Sequence, residues 1–322
     1  MKIKRALLTG AAGFIGSNLA AELHRRGIEF DCVDDMSNGQ LSFLPLQLQS
    51  ALTIADFSDD AILRKIESKV YDVVFHIAAV PRVSYSVEYP LSTNDTNVTK
   101  TLRLMNSCRG NILRFVFASS SSVYGNTEVL PTPTDCTKSP QSPYALQKSI
   151  IEDYLRLYHK HYGLDSACLR FFNVFGPHQL GGSPYATVVG SWLTAIKSGT
   201  SMRSDGDGTQ SRDMCYVDNV VDACIRAGEA DGVLGAECLN VACGDRTTNR
   251  EILNYLLSIY PEAKYHHAPW RPGDVMHTLA DISRTTQVIG YVPLVKFWEG
   301  LDRTVKWYEA NWDSIKQMNL KA

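Results

Sequence analysis

Tyr144 and Lys148 are the residues of this chain best suited to proton chemistry. They stand four apart, so on a helix they share one face. An ammonium beside a phenol favours the phenolate and should pull the tyrosine below its ordinary value of ~10. A phenolate so placed can take a hydroxyl proton while a hydride leaves the same carbon for a nicotinamide. Upstream, Ser119-Ser120-Ser121-Ser122-Val123-Tyr124-Gly125 follows a short apolar strand. A serine there can hydrogen-bond the reacting oxygen. YxxxK alone is common, and an ordinary surface helix would also carry it. No GxSxG elbow points to a serine hydrolase.

The second group is Gly10-Ala11-Ala12-Gly13-Phe14-Ile15-Gly16, set between an apolar strand and a helix. Glycines in that context allow a tight turn, a close approach of the backbone to a pyrophosphate, and bare amides at a helix N-terminus. The spacing is GxxGxxG, and no lysine follows Gly16 to make a Walker loop. Asp34 closes the next strand about 20 residues on, where an acid can accept hydrogen bonds from ribose hydroxyls. A carboxylate there would repel a ribose phosphate, which favours NAD over NADP. Asp31 and Asp35 compete for that role, with Asp31 falling mid-strand. Asp56 could reach an adenine edge or be an exposed loop acid.

These residues need a parallel sheet to position them. Strands are expected at Arg5–Thr9, 30–33, Val73–His76, 115–118 and 166–172, with helices at 17–26, 61–68, 97–107 and Pro143–Tyr162 between them. Pro143 suits a first helical turn and Gly163 a stop. Short apolar strands alternating with helices imply a sheet covered on both faces. After about Gly176 glycine and proline cluster, and the elements read as shorter and less regular. The expected fold is therefore α/β: a Rossmann-type doubly wound parallel sheet over residues 1–176, then a smaller mixed α/β substrate domain over 177–322. The boundary is expected to interleave.

With these motifs in order, the chain resembles the extended short-chain dehydrogenase/reductases, specifically the nucleotide-sugar epimerases. The likeness spans nearly the whole chain: TGAAGFIGS, the run Asp34-Asp35-Met36-Ser37-Asn38-Gly39, HIAA, SSSSVYG, SPYALQK, RFFNVFGP, SRDMCYVDN and RPGDVMH. The resemblance makes Ser120, Tyr144 and Lys148 the catalytic set and Ser122 a contact to the substrate hydroxyl. It gives Gly10, Gly13, Phe14, Ile15 and Gly16 to the pyrophosphate of NAD. Asp34 and Asn38 then hold the adenosine ribose, and Asp56 and Phe57 flank adenine. Ala78 and Ala79 line the cofactor with Asn97 near it, and Phe171 lies by the nicotinamide. Asn173, Arg212, Arg271 and Asp274 match UDP contacts. Two guanidiniums could clamp a diphosphate; the plainer and less favoured alternative for Arg212 is a surface ion pair with Asp213.

Within this resemblance, 4,6-dehydratases carry an Asp-Glu pair after the catalytic Ser or Thr, and glucuronate decarboxylases usually a Glu where Ser122 stands. Here the places hold Ser121 and Ser122. What remains is oxidation and re-reduction at one sugar carbon. Thr278 falls at a gate position, where a small side chain admits an N-acetyl group and a tyrosine excludes it. The implied reaction is C4 epimerisation of UDP-GlcNAc and UDP-GalNAc, with UDP-Glc and UDP-Gal as weaker substrates. UDP-glucuronate and UDP-N-acetylglucosaminuronate stay open, with Arg82 or His277 as carboxylate partners. A non-catalytic NAD-binding module is the reading from a different class. The family also implies a homodimer through a four-helix bundle of helices 97–107 and Pro143–Tyr162.

Composition sets the outer limits. The 322 residues are 44% hydrophobic and 20% charged, ordinary for a globular protein of about two domains. A net charge of -2 gives no basic field for nucleic acid. Eight cysteines without a CxxC pair read as reduced thiols, and no metal is expected. The apolar start is broken at once by Thr9 and Gly10, so neither a signal core nor a membrane span is expected, and the chain reads as cytoplasmic. The sequons at Asn94 and Asn97 fit a helix start better than glycosylation.

Overall fold

The computed structural model describes residues 1–182, 186–270 and 275–319. Its centre is a sheet of seven parallel strands: β1 (Arg5–Thr9), β2 (Glu29–Asp34), β3 (Leu52–Ile54), β4 (Val73–His76), β5 (Arg114–Ser120), β6 (Ser166–Phe171) and a final strand, Glu237–Val241. The spatial order is β3, β2, β1, β4, β5, β6, then Glu237–Val241. The order reverses between β1 and β4, where such sheets open a crevice at their carboxyl ends.

Adjacent residues of each strand feed opposite layers, as the pleat requires. Leu8, Phe75 and Val116 join a core with Leu19, Ala20 and Leu23 of helix Phe14–Arg25 and with Val220 and Ala223 of helix Val217–Glu229. Leu7, Val74, Phe115 and Phe117 turn the other way. They meet Ile62 and Ile66 of helix Asp60–Glu67, Leu104 of Thr101–Cys108, and Ile151 and Leu155 of Pro143–Tyr162. Both faces are thus covered, which is why the middles of β1, β4 and β5 are apolar.

The long helix has the bounds its sequence implies, Pro143–Tyr162. The Ser142 side chain caps its start by accepting from the Ala145 N–H at 3.2 Å, and Gly163 ends it with φ 68°. Other boundaries differ. Helix Phe14–Arg25 begins three residues earlier than expected, inside the glycine motif itself. The third strand, Leu52–Ile54, and helices Val83–Glu88 and Pro90–Asn94 were not expected. Residues 95–100 form a wider π-helical turn before Thr101–Cys108.

Past residue 176 the elements are more regular than their glycine and proline content suggested, including a 23-residue helix, Phe297–Asn319. The chain also returns to the sheet there. Glu237–Val241 pairs in parallel with β6, Cys238 opposite Cys168 and Asn240 opposite Arg170. Short ribbons complete this part: Val174–Phe175 with Cys215–Tyr216, Ser211–Arg212 with Thr247–Thr248, and Met202–Asp205 with Tyr265–Ala268. Among the described residues no helix is long and apolar enough to cross a membrane, and no three His, Cys, Asp or Glu side chains gather to hold a metal.

Candidate active site

The expected residues gather along the carboxyl edge of the sheet. Gly10 follows β1, Asp34 ends β2, Ala78 and Ala79 follow β4, Ser120 ends β5 and Phe171 ends β6.

Two glycines of the loop are there for close packing. Gly10 has φ +72°, and a Cβ on it would lie 2.7 Å from the Ala78 nitrogen. A Cβ on Gly16 would fall 1.9 Å from the Gly10 carbonyl oxygen. Gly13 differs, since its nearest neighbour would be 3.4 Å away. Gly13 is also the N-cap of helix Phe14–Arg25, and no side chain caps that end. The first-turn amides, including those of Phe14 and Ile15, therefore lack a side-chain acceptor and suit a phosphate.

Asp34 sits beneath this loop, its carboxylate accepting from the Ala12 N–H and the Met36 N–H at 2.9 Å each. Burial raises its pKa, against the lowering by these amides. Asn38 is exposed nearby. Asp56 is tied to Lys100 at 2.6 Å, and this bond and those from Ser58 hold its carboxyl below the usual range in spite of burial. Phe57 is buried edge-on against His76. Asn97 is fully engaged: its oxygen accepts from the Val80 N–H at 2.8 Å, and its amide donates to the Val80 carbonyl and the Gln147 side chain. It fixes the strand-end loop at Val80, which in turn carries Ala78 and Ala79.

The acid–base set assembles across two elements. Ser120 comes from the end of β5, while Tyr144 and Lys148 come from the first turns of helix Pro143–Tyr162. The Ser120 hydroxyl is hydrogen-bonded to Tyr144 and accepts from the Ser122 hydroxyl at 2.9 Å. One expectation is corrected. Tyr144 is pushed up to about 12, because burial outweighs the Ser120 hydrogen bond. The Lys148 ammonium donates to the Ala118 carbonyl at 2.7 Å and lies 5.8 Å from the centre of the Tyr144 ring. Burial lowers Lys148 to about 7, opposed by the charge of Glu152.

On the substrate side, Asn173 passes its carbonyl to the Cys215 N–H at 3.1 Å. Arg212 does not form the ion pair with Asp213 that their adjacency allowed. The Asp213 carboxylate is buried and accepts from the N–H groups of Cys243, Gly244 and Ala280, and burial pushes it up to about 7. The Arg212 guanidinium donates to the carbonyls of Ser211 and Met276. Thr278 lies alongside, its hydroxyl accepting from the Asp213 N–H at 3.1 Å. His277 pairs with the Ser211 hydroxyl at 2.8 Å, and Arg82 donates to the Ser84 hydroxyl. Arg271 and Asp274 lie outside the described residues.

Sequence reasoning missed several supports. Ser86 accepts from the Tyr144 N–H at 3.1 Å, and Gln147 bridges Asn97 to Thr93. Glu152 and Arg170 form a buried pair beneath Lys148. A serine or glutamine has no pattern of its own in sequence; only the one-turn spacing from Lys148 to Glu152 offered a signal.

The residues fit a dinucleotide. The loop backbone is bare where a pyrophosphate would lie, an acid stands where a ribose would, and a Ser-Tyr-Lys set stands at the end of β5. Residues 6–242 match the NAD dependent epimerase/dehydratase family. A UDP-glucose 4-epimerase of Mycolicibacterium smegmatis is 36% identical over 313 residues, 94% of this chain and 98% of that protein. The UDP-N-acetylglucosamine 4-epimerase from Methanobrevibacter ruminantium, solved with UDP-N-acetylmuramic acid, superposes with a TM-score of 0.89 at 37% identity, covering 97% of this chain and all of that one. The Thermus thermophilus UDP-glucose 4-epimerase, solved with NAD, gives a TM-score of 0.85 at 30% identity, covering 95% of this chain and 99% of that one. With its family signature running through the glycine loop, the serine strand and the catalytic helix, this chain belongs to the NAD dependent epimerase/dehydratase family and takes NAD as its cofactor.

Proposed function

We propose that the protein interconverts UDP-GlcNAc and UDP-GalNAc by inverting C4, with UDP-Glc and UDP-Gal as weaker substrates. The observation that carries this reading is the end of β5. Ser122 and Tyr144 both bond to Ser120, and the neighbouring position 121 is also serine, so the strand end offers hydroxyls and no carboxylate. That set can move one hydroxyl proton. It has no acid–base pair for eliminating water or guiding a decarboxylation.

NAD, when bound, would supply the hydride acceptor for the sugar carbon and the donor for its return. Tyr144 takes the C4 hydroxyl proton, with Ser120 sharing the hydrogen bond to the reacting oxygen and Ser122 orienting Ser120. Lys148 would hold the nicotinamide ribose. Its charge beside the ring would bring Tyr144 down toward a working pKa. The 4-keto sugar then turns about its bond to the diphosphate, and Tyr144 returns the proton on the other face. Arg212, with Arg271 and Asn173, would hold the diphosphate and leave the sugar free to turn. Thr278 is small enough to leave room for an N-acetyl group.

The protein is further proposed to act as a homodimer through helices Pro143–Tyr162 and Thr101–Cys108. Leu146, Tyr154 and Leu157 are exposed on one side of the former, apolar side chains that a second copy could cover. Light scattering on the purified protein reads this directly.

The test of the reaction is a panel of UDP-sugars with product identification and absorbance at the NADH band. UDP-GalNAc formed from UDP-GlcNAc without net NADH supports the reading. Turnover of UDP-glucuronate alone would replace the substrate, and stoichiometric NADH release would replace the reaction.

A further inference from the structure

Glu152 lies one turn beyond Lys148 on the same face of helix Pro143–Tyr162. The pair grips consecutive residues of β5. Lys148 donates to the Ala118 carbonyl at 2.7 Å, and the Ser119 hydroxyl donates to Glu152 Oε1 at 2.7 Å. The next residue is Ser120. Arg170 of β6 closes the arrangement with a two-pronged contact, Nε to Oε1 at 2.9 Å and Nη2 to Oε2 at 2.8 Å. Lys148, Glu152, Ser119 and Arg170 are each 4% exposed or less.

We propose that Glu152 is a positioning residue for the Ser120–Tyr144–Lys148 set: it fastens the catalytic helix to the strand end that carries Ser120, and it supplies the negative charge that the Lys148 ammonium needs. The proposal rests on the epimerase reading for the roles of Tyr144 and Lys148.

Charge carries the second half of the argument. Two buried cations, Lys148 and Arg170, share one buried anion. Around them stand His76, held neutral by burial, and Tyr144 and Tyr124, whose hydroxyls burial keeps protonated. The buried Cys168 thiol is also raised. Lys138 reaches Glu152 Oε2 at 3.5 Å but is itself held by Asp153 at 2.8 Å. Removing the anion leaves two buried cations without a counter-charge. A guanidinium cannot shed its proton in a protein and an ammonium can, so Lys148 is the group that yields.

The geometry carries the first half. Arg170 Nη1 also donates to the Tyr124 hydroxyl and the Thr134 carbonyl at 2.8 Å each, and Tyr124 donates to Asn240 at 2.6 Å. Glu152 therefore joins the catalytic helix to β5, β6 and the final strand at one point. A small rotation of the helix would move Tyr144 from Ser120, and this clamp opposes it.

The test compares E152Q, E152D, S119A and R170M in the NAD-loaded protein. Lys148 is titrated by the pH dependence of its side-chain 13Cε chemical shift in lysine-labelled protein, without any sugar. For E152Q the midpoint should fall by about one pH unit or more, and the alkaline limb of kcat should move down with it. R170M removes one of the competing cations, so its midpoint should rise. E152D and S119A keep the charge and loosen the clamp. Their midpoints should stay put while kcat drops about tenfold, on the scale set by a lost positioning contact.

If E152Q does not fold, R170M still tests the sign. Unchanged midpoints in both variants would overturn the charge role, and full kcat in both E152D and S119A would overturn the clamp. A protein that turns over no UDP-sugar but shows the midpoint shifts overturns the epimerase reading alone.

Discussion

The Asp213 N–H donates to the Thr278 hydroxyl at 3.1 Å, while the Thr278 N–H donates to the Ser211 carbonyl at the same distance. The proposed sugar gate is thereby bound to the strand that carries Arg212, so the gate and the diphosphate contact move as one piece. Replacing Thr278 with tyrosine fills the space and gives up the hydroxyl that accepts from the Asp213 N–H, while the Thr278 N–H bond to Ser211 stays. Thr278→Tyr should lower kcat/KM for UDP-GlcNAc about tenfold or more while leaving UDP-Glc within about threefold, the contrast a filled pocket produces. Parallel progress curves on the two sugars give the ratio, and an unchanged ratio removes the gate.

Tyr144→Phe takes away the hydroxyl that the proposed mechanism uses to move the substrate proton. Turnover should drop by about 10²–10⁴, and NAD should stay bound because the phosphate loop and Asp34 are untouched. Cofactor content after gel filtration, measured beside the rate, separates loss of chemistry from loss of binding. A variant that keeps its rate ends the proposed mechanism.

The two inner glycines of the loop should fail differently. A methyl at position 16 would meet the Gly10 carbonyl oxygen at 1.9 Å, so Gly16→Ala must distort the turn and should cost about 1–3 kcal/mol of stability. A methyl at position 13 meets nothing closer than 3.4 Å. Gly13→Ala should leave stability almost unchanged and weaken NAD instead, because it roughens the surface on which a phosphate rests. Urea midpoints and NAD titrations on both variants distinguish these effects.

His76 sets an acid limit. It is buried between the Thr9 and Thr101 hydroxyls at 2.8 and 3.0 Å, and burial, helped by the Lys148 charge, pulls it down to about 3. The unfolded value is ~6.5, so the folded chain binds fewer protons here. The contribution is full above about pH 6.5 and is lost as pH falls from there toward 3. His76→Gln should therefore show a smaller drop in urea midpoint between pH 7.5 and 4.5 (both approximate choices within this window) than the parent. His178, drawn down to about 4 by burial, keeps part of the slope in both proteins. Equal drops would remove His76 as the cause.

What could be read from the sequence was what is local. Arg5–Thr9 and Val73–His76 were legible because both faces of those strands are buried and their residues are uniformly apolar or nearly so. Pro143–Tyr162 was legible because its start and stop are written in Ser142, Pro143 and Gly163. Ser120, Tyr144 and Lys148 came with those elements. The supports around them did not, since Glu152 and Arg170 are 18 residues apart in the chain and meet only when helix and sheet pack. The direction of the Tyr144 shift is hidden for a similar reason, since it comes from burial by packed elements. Spacing gave the nearness of Lys148 but not that its ammonium turns to a strand carbonyl. Beyond residue 176, glycines and prolines hid helices whose stability comes from the faces they bury, as in Val217–Glu229, where ten residues are buried.

Glu237–Val241 joins the sheet only after some sixty-five residues of chain have gone elsewhere. On a ribosome, the nucleotide-binding half must wait with β6 as an open edge until residue 241 has emerged. Asn240 comes with that strand, accepting from the Tyr124 hydroxyl and donating to the Thr132 carbonyl, and its bond to the Asp281 carbonyl waits for forty more residues. A chain cut at residue 176 would therefore expose β6 as a raw strand edge, the kind that sticks to its neighbours. The first 176 residues thus lack one strand of their own sheet, and the later chain supplies it.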